Sequence, residues 1–338
     1  MSYRIFCCIL TCLFILSWSG HAWAAESKTL TVVSYPARPP KLPLWLARDE
    51  RLFAKHGLNV FLRELSDSED LLRAIRSNEG DIYVATANHI ASGIGDGADL
   101  VFVANSGHTV IKFLSRPTIE HAADLRGKKV GTGEAGSTQD RLTRQVLKRL
   151  GLDPDKDVIL VPIRGRSVKR LDALLAGEID ATTTADENVF DLERKGALTK
   201  VRILADNESL KLFIGGGVDY AVSRRLLKND REGIKAFLSA LCEAISLARK
   251  DRSRSDTVYQ RYQEIKDPAQ LDFMYRTYVQ GAIPQRPYPR PEAIALGVEE
   301  FAAKAGLRYR KTEDLIDRTL LEELEREGLF ERLYGTSK

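Results

Sequence analysis

Cysteine is scarce in this chain, and its placement excludes a disulfide framework in the body of the protein. Of four cysteines in 338 residues, Cys7, Cys8 and Cys12 lie in an apolar N-terminal run and only Cys242 follows them. Cys242 sits in an apolar helical stretch, where a buried structural thiol is expected. Stability must then come from burial of a core.

Neither sign of charge dominates, and long apolar runs are missing after the N-terminus. The chain has 51 Lys and Arg against 47 Asp and Glu, a formal net charge of +4. Aromatic residues make up 8% and do not interleave with basic residues. This pattern excludes a nucleic-acid-binding stripe. It also predicts no membrane span after the N-terminal run.

The first 24 residues are typical of a secretory signal peptide. Arg4 precedes an apolar run over Ile5–Trp18, and Ala22-Trp23-Ala24 supplies small residues at the cleavage site. We predict cleavage before Ala25, which lowers the formal charge from +4 to +3 because Arg4 is removed. The mature protein is expected to be exported to a periplasm, with no lipid anchor.

Motifs of enzymes are also missing. The five histidines are His21 in the predicted leader, His56, His89, His108 and His121. None forms H-E-x-x-H, and neither a G-x-S-x-G elbow nor a C-x-x-C pair occurs. His89 follows a predicted strand end, where one histidine is more often structural than a general base. We therefore predict no catalytic residue, no metal site and no cofactor.

The stretch Lys128–Leu152 is the most informative part of the chain. It predicts a strand, a turn rich in glycine (Gly131, Gly133, Gly136) and a helix. Ser137 or Thr138 can cap that helix. Backbone N–H groups, the helix dipole and these hydroxyls together favour binding of a small anion.

Two other interpretations of this turn stay open. The turn also spells G-x-G-x-x-G, but the acidic residue of a dinucleotide site is missing, because the next strand, Val158–Ile163, runs into Arg164, Gly165 and Arg166. Only a nicotinamide cofactor with a 2′-phosphate suits that arrangement. A tight strand-to-helix turn without any ligand is the other alternative.

An internal repeat predicts two α/β lobes. The segment Leu72–Asp81, LRAIRSNEGD, aligns with Leu171–Asp180, LDALLAGEID, and each follows a strand, a loop, a helix and a second strand. Two β-α-β-α-β units each form a parallel sheet covered by helices. We interpret the extended runs Thr109–Leu114 and Val218–Val222 as paired hinge strands. The helical remainder from Arg224 is expected to pack on the first lobe.

Polar residues follow the predicted strands of both lobes. Ligands of such sheets bind at the carboxyl ends of the strands, so these residues are expected to line a cleft. In the first lobe they are Ser34, Tyr35, Asp67, Thr86, Asn88 and Asn105, and in the second Gly136, Ser137, Thr138, Arg164, Thr184 and Asp186.

Several segments together resemble the periplasmic substrate-binding proteins of nitrate, sulfonate and taurine ABC importers. They are LPLWLARDERLFAKHGLNV, LLRAIRSNEGDI, DLRGKKVGTGEAGST, LLAGEIDA and PYPRPEAI, in an order that spans nearly the whole mature chain. The same superfamily includes thiamine-pyrimidine synthase-like proteins. The resemblance implies a two-lobed type II periplasmic binding fold that closes on a small ligand and delivers it to a permease.

The resemblance also implies contact positions. The loop after the first strand points to Tyr35 and to Leu42 and Trp45, although Trp45 can equally be a core residue. Asp67 and Asn88 match strand ends where a helix cap or turn residue is the alternative. Ser137 and Thr138 match the anion-coordinating helix start of the family. Asp186 matches a polar contact, with an exposed turn residue as the alternative.

One segment departs from the family pattern. RGRSVKR, residues 164–170, carries four positive charges where the family usually has an apolar or proline-rich turn. If Arg164 or Arg166 points inward, its planar group favours a carboxylate, sulfonate or phosphate. If both point outward, they form a solvated patch, for example toward a permease.

Together these features predict an α/β, two-lobed type II periplasmic binding fold. Its predicted parts are the signal peptide 1–24, lobe 1 over 25–114 and 215–338, and lobe 2 over 115–214. The predicted function is capture of a small anionic solute (sulfonate, taurine, nitrate or carboxylate) by a monomer that partners an inner-membrane permease. A cofactor-dependent enzyme or pyrimidine-synthase-like protein is the alternative. A membrane-bound sensor is not favoured, because no membrane helix or output domain is recognisable.

Overall fold

A computed structural model describes residues 28–35, 38–135, 137–211, 217–308 and 310–335. The predicted signal peptide and Gly136 lie outside these ranges, so both stay predictions. The strands, in chain order, are β1 (Lys28–Ser34), β2 (Leu58–Glu64), β3 (Ile82–Ala85), β4 (Leu100–Asn105), β5 (Ile111–Ser115), β6 (Lys129–Thr132), β7 (Ile159–Pro162), β8 (Ala181–Ala185), β9 (Arg202–Asp206) and β10 (Asp219–Ser223).

The helices cover the faces of the sheets formed by these strands. They are α1 (Leu42–Asp49), α2 (Leu52–Lys55), α3 (Ser68–Arg76), α4 (Ala87–Gly95), α5 (Thr138–Arg149), α6 (Ser167–Ala176), α7 (Asp186–Arg194), α8 (Asn207–Leu210), α9 (Arg224–Asn229), α10 (Arg231–Lys250), α11 (Arg252–Gln263), α12 (Pro268–Met274), α13 (Pro291–Phe301), α14 (Thr319–Arg326) and α15 (Leu329–Tyr334). A π-helix over Tyr275–Ala282 continues α12, and short 3₁₀ turns cover Pro39–Lys41, Ala122–Leu125, Leu198–Lys200 and Glu313–Leu315.

The two predicted lobes are confirmed as two five-stranded sheets with the same topology. The first has the order β2-β1-β3-β10-β4 and the second β7-β6-β8-β5-β9. In each sheet the first three strands are parallel and the other two pairings are antiparallel. The aligned segments of the internal repeat lie in α3 and α6 and in the turns that lead into β3 and β8, so the repeat predicted from sequence is structural.

The prediction of paired hinge strands was wrong. Both runs are strands, but β5 pairs with β8 and β9 in the second sheet, whereas β10 pairs with β3 and β4 in the first. The chain therefore passes from the first sheet to the second between β4 and β5 and returns between β9 and β10. Each run completes the hydrogen bonding of its own sheet instead of pairing with the other. The first crossing precedes the predicted lobe boundary at residue 114.

The C-terminal helices pack on the first lobe, as predicted. Helix α10 buries Phe237 and Leu241 in one core with Leu30 and Val32 of β1. Cys242 is fully buried in the same core, and burial raises the pKa of its thiol. On the other face of the sheet, Ile294 of α13 joins a second core. Helix α11 also packs on α1.

The second lobe has smaller cores on the two faces of its sheet. Val130 of β6 and Val146 of α5 belong to one, and Leu171 of α6 with Ile179 to the other. No helix within the described ranges is long and apolar enough to cross a membrane.

Trp45 lies in the first-lobe core. Its side chain is fully buried, its indole Nε1 donates to Glu64 Oε1 at 2.9 Å, and its ring stacks on Tyr262 with centroids 4.8 Å apart. Of the two interpretations left open by the sequence, the structure supports the core residue. Trp45 does not line the cleft described below.

We expect Trp45→Ala to lower the free energy of unfolding by about 3–5 kcal/mol, because it leaves a cavity in the core and removes the indole N–H that donates to Glu64. Urea denaturation followed by circular dichroism measures this change. Phe61→Ala serves as the control, since Phe61 is 62% exposed and its loss should change stability little. Equal stability of both variants would contradict a core role for Trp45.

Candidate functional site

A cleft between the lobes has a cavity of about 750 Å³. It lies at the carboxyl ends of the parallel strands, where ligands of such sheets bind. Its polar lining comes from both lobes and from the C-terminal helices. The polar and charged lining residues are Tyr35, Arg38, Thr109, Gln139, Arg166, Ser167, Thr183, Thr184, Glu187, Asn188, Asp191, Gln263 and Gln270. Ile111, Leu142, Val168, Ile265 and Met274 supply apolar surface.

Arg38 brings a cation into this cleft from the proline-rich loop after β1. Its Nη1 donates a long hydrogen bond to Thr109 Oγ1 at 3.5 Å. Its Nε is buried and has no hydrogen-bond partner among the residues that the structure describes. Burial lowers the pKa of Arg38, and the nearby Tyr35, Tyr278 and Glu187 oppose that shift. A guanidinium stays charged despite such a shift, so the cleft holds a cation with unused donor capacity.

Glu187 faces the cleft from the N-terminus of α7. Its Oε1 accepts a hydrogen bond from Tyr278 Oη at 2.6 Å, while Oε2 is buried without a partner. Burial raises the pKa of Glu187, with the hydrogen bond from Tyr278 and the charge of Arg38 acting in the opposite direction. The unused oxygen can accept a hydrogen bond from a ligand, or donate one when the carboxyl is protonated.

Three contacts join α7 of the second lobe to the C-terminal segment packed on the first. Tyr278 of the π-helix bonds Glu187, as above. Phe190 stacks on Phe273 with ring centroids 4.6 Å apart, and Arg194 forms an ion pair with Asp267. One side of the cleft is therefore bridged. The π-helix places Tyr278 at this bridge, and such local widenings are frequent at functional sites.

His89 lies beside the cleft on α4. Its ring meets Tyr35 edge to face with centroids 5.4 Å apart, and its Nδ1 lies 2.7 Å from Thr86 Oγ1. Burial, followed by the charge of Arg38, lowers the pKa of His89 to about 4. The imidazole is therefore neutral near pH 7 and positions Tyr35, which lines the cleft.

The start of α5 forms part of the second-lobe wall. Ser137 is the N-cap, and its Oγ accepts a hydrogen bond from Asp140 N at 3.2 Å. Gln139, the second residue of α5, lines the cleft. Opposite it, Thr184 Oγ1 accepts from Asn188 Nδ2 at 2.8 Å. This wall is hydrophilic.

The basic segment 164–170 divides between the cleft and solvent. Arg164 is 86% exposed and lies 3.4 Å from Glu134 in an ion pair, so it does not line the cleft. Arg166 does line it. Arg170 is fully buried behind the wall and donates from Nη2 to Gln139 Oε1 at 3.1 Å. Neither of the two alternatives from the sequence therefore holds for the whole segment.

Of the residues predicted to bind a ligand, Tyr35 and Thr184 line the cleft. Several others make structural contacts and do not line the cleft. Asp67 caps α3 by accepting from Glu69 N at 2.6 Å, which is the alternative that the sequence left open. Asp186 lies beside the cleft, 3.9 Å from Lys112 Nζ. Ser34, Leu42, Thr86, Asn88 and Asn105 are buried.

Sequence reasoning missed the cleft residues Arg38, Gln139, Glu187 and Asn188. Arg38 follows a predicted strand end, so its position in the loop was available as a signal. Glu187 and Asn188 directly follow Asp186, which was named. Gln139 carried no signal, because a polar residue in the first turn of a helix is ordinary.

Asn105 and Asp219 form a buried pair where the chain leaves the first sheet. Asn105 Nδ2 donates to Asp219 Oδ1 at 2.8 Å, and Asn105 Oδ1 accepts from Gly107 N at 2.9 Å. Burial raises the pKa of Asp219 from 3.8 to about 7, against the hydrogen bond from Asn105. Asn105 is therefore tied to the crossing segment instead of to the cleft.

We expect stability to fall between pH 5 and pH 8 through this aspartate. The unfolded Asp219 ionises near pH 3.8 and the folded one near 7, so in this window the folded state holds the extra proton and loses stability as pH rises. Asp219→Asn removes that dependence. The variant should therefore gain stability relative to the parent from pH 5 to pH 8 in urea denaturation. A difference independent of pH would contradict the assignment.

Comparison with known proteins finds a matching family model and relatives of known name. A family model described as NMT1/THI5 like matches residues 39–254. A Haemophilus influenzae protein named for thiamine biosynthesis is 26% identical over 50% of this chain, and the match covers 53% of that protein. A 4-amino-5-hydroxymethyl-2-methylpyrimidine phosphate synthase of Saccharomyces cerevisiae is 26% identical over 75% of this chain and 76% of its own length.

The fold matches a solved structure over nearly all of that structure. The periplasmic aliphatic sulphonate binding protein SsuA of Escherichia coli superposes with a TM-score of 0.65 at 21% identity, covering 85% of this chain and 98% of that one. The two-lobed periplasmic binding fold predicted from the sequence is therefore confirmed.

Proposed function

Because this chain belongs to the NMT1/THI5-like family, we propose that it captures a small anionic solute between its lobes and delivers it to the permease of an ABC importer. The observation that carries the proposal is Arg38, a cation held in the cleft with a buried Nε that lacks a partner. An oxyanion is the natural partner of a guanidinium, because the two make charge-assisted hydrogen bonds.

Closure of the lobes supplies the mechanism. The first lobe contributes Arg38 and Tyr35, and the second contributes Gln139 and Thr184. A ligand that contacts both walls binds the closed form better than the open one and shifts the population toward it. Water leaves the cleft as it closes, which strengthens the electrostatic interaction with Arg38. A permease that contacts the closed form would receive the loaded protein.

The predicted signal peptide, together with the sulphonate-binding neighbour, supports a periplasmic location and a sulfonate-type ligand. The chemistry of the cleft is also compatible with taurine, nitrate and carboxylates, since each presents oxyanion acceptors to a guanidinium. Permease delivery and a monomeric state belong to this proposal as well.

A pyrimidine-binding or pyrimidine-forming role is the second candidate, and it is supported by the yeast synthase that matches 75% of this chain. The cleft is large for nitrate and accommodates a ring with a charged substituent. Glu187 Oε2 would accept a hydrogen bond from a ring amine. Neutral His89 lies beside the cleft and contacts Tyr35.

A thermal-shift screen of the protein from Ala25 onward separates these candidates. The panel contains ethanesulfonate, benzenesulfonate, taurine, nitrate, benzoate, nicotinamide cofactors and 4-amino-5-hydroxymethyl-2-methylpyrimidine phosphate. A ligand that binds only the folded state raises the melting temperature. A shift with sulfonates or carboxylates supports the solute-binding proposal. A shift confined to the pyrimidine or to a nicotinamide cofactor supports the second candidate and contradicts the first.

We expect Arg38→Met to weaken binding of the anion found in that screen at least tenfold, because a charge-assisted hydrogen bond is worth about 1.5–3 kcal/mol. Isothermal titration calorimetry measures the affinity. Arg225→Met is the matched control, since Arg225 is exposed on the same lobe away from the cleft. Equal affinity of the two variants would show that the anion does not bind at Arg38.

A further inference from the structure

We propose that Gln139 is a specificity-determining ligand contact whose amide N–H is directed to the anionic group of the solute by the buried guanidinium of Arg170. This inference rests on the proposed function and adds to it a donor in the second-lobe wall. It also assigns a positioning role to Arg170, which does not itself line the cleft.

Arg170 is a buried cation with no counter-ion among the described residues. Its side chain is fully inaccessible, and its Nε and Nη1 have no hydrogen-bond partner in the ranges that the structure describes. Nε carries one N–H and Nη1 two, so three donors are unused. Throughout the part of the chain that the structure describes, no carboxylate forms an ion pair with Arg170, and burial lowers its pKa with no charged group opposing the shift.

Such an arrangement is costly unless an anion compensates for it. A buried, unpaired charge destabilises a fold, and a buried arginine is normally paired. The described residues offer Arg170 only the amide oxygen of Gln139, at 3.1 Å from Nη2. The missing negative charge is therefore expected from outside the chain, on the side of the wall where Gln139 meets the cleft.

The contact fixes which way the amide of Gln139 faces. Arginine has only donors, so the atom 3.1 Å from Nη2 must be the oxygen Oε1. The Nε2 group, with two N–H donors, then points away from Arg170. Gln139 lines the cleft, so this donor is available to a ligand there. Rotation of the amide would place N–H groups against a guanidinium, which is repulsive.

The position of Gln139 adds a second electrostatic contribution that favours an anion. It lies in the first turn of α5, a helix of 12 residues whose N-cap is Ser137. The positive end of the helix dipole therefore lies at the same wall as the donor. Ser137 Oγ already accepts from Asp140 N, and the preceding turn is tightly packed because a Cβ on Gly133 would come within 2.4 Å of that Oγ. The side-chain amide of Gln139 can therefore donate a hydrogen bond from this turn to a ligand.

This arrangement selects a ligand by its charge more than by its shape. The guanidinium of Arg170 is enclosed, so a ligand meets its charge only through the Gln139 amide. An oxyanion accepts from Nε2 and also gains the electrostatic attraction of Arg170 through a low-dielectric wall. A cationic or neutral solute lacks the second contribution. Sulfonates, phosphates and carboxylates fit this description equally well.

The test compares Gln139→Glu and Arg170→Met with the parent protein, using ethanesulfonate and inorganic phosphate as probes. In Gln139→Glu, a carboxylate pairs with Arg170 and removes the donor. We expect the melting temperature to rise while affinity for both probes falls at least tenfold by calorimetry. In Arg170→Met, we expect unchanged or higher thermal stability, because an unpaired buried charge is removed, together with a similar loss of affinity.

Two control variants match these changes. Gln145→Glu makes the same substitution on the same helix, and Arg149→Met removes a positive charge from an exposed site on it. Both should bind the probes as the parent does. A structural role for Arg170 predicts the reverse pattern, a lower melting temperature of Arg170→Met with unchanged affinity, and that result would overturn the inference.

The outcomes also separate this inference from the proposed function. If the parent binds an anion and Gln139→Glu binds it equally well, the anion site lies elsewhere and only this inference fails. If the parent binds neither probe nor any other anion of the screen, the proposed function fails and this inference fails with it.

Discussion

Both lobes depend on one constraint, the parallel pairing of three strands in each sheet. Strand β1 pairs with β2 along its whole length and with β3 at its carboxyl end. Strand β6 pairs with β7 along its whole length and with β8 at Val130 and Gly131. Parallel neighbours need a crossover helix, so all loops at one edge follow carboxyl ends. Those loops then carry the polar residues of both walls. The cleft follows from this pairing, and the antiparallel strands only extend each sheet.

The chemistry of the cleft depends on charges that the fold leaves uncompensated. Arg38 in the first lobe and Arg170 behind the second wall both have nitrogens without hydrogen-bond partners, and Glu187 has an unused oxygen. Buried groups of this kind lower the stability of the empty protein. Natural chains tolerate such sites where a ligand completes them.

The sequence predicted the fold far better than the site. The repeat of LRAIRSNEGD in LDALLAGEID fixed the two lobes, and the spacing of motifs identified the family confirmed by the comparisons. Among the site residues, Tyr35 and Thr184 line the cleft, whereas Trp45 is core and Asn105 is bound to Asp219. A strand end tells where a residue lies along the sheet. It does not tell on which side a neighbouring loop or helix will cover it.

The sequence by itself determined the periodic features: two α/β units, their strand ends, a capped helix after a glycine turn, and a buried lone cysteine. These are local, because helix caps, turns and hydrophobic periods act over a few residues. Tertiary structure decided which of the many charged residues lost contact with water. Arg164 and Arg170 belong to the same basic segment, yet the first is exposed and the second fully buried. That difference arises from packing between distant segments, which no local pattern of the chain records.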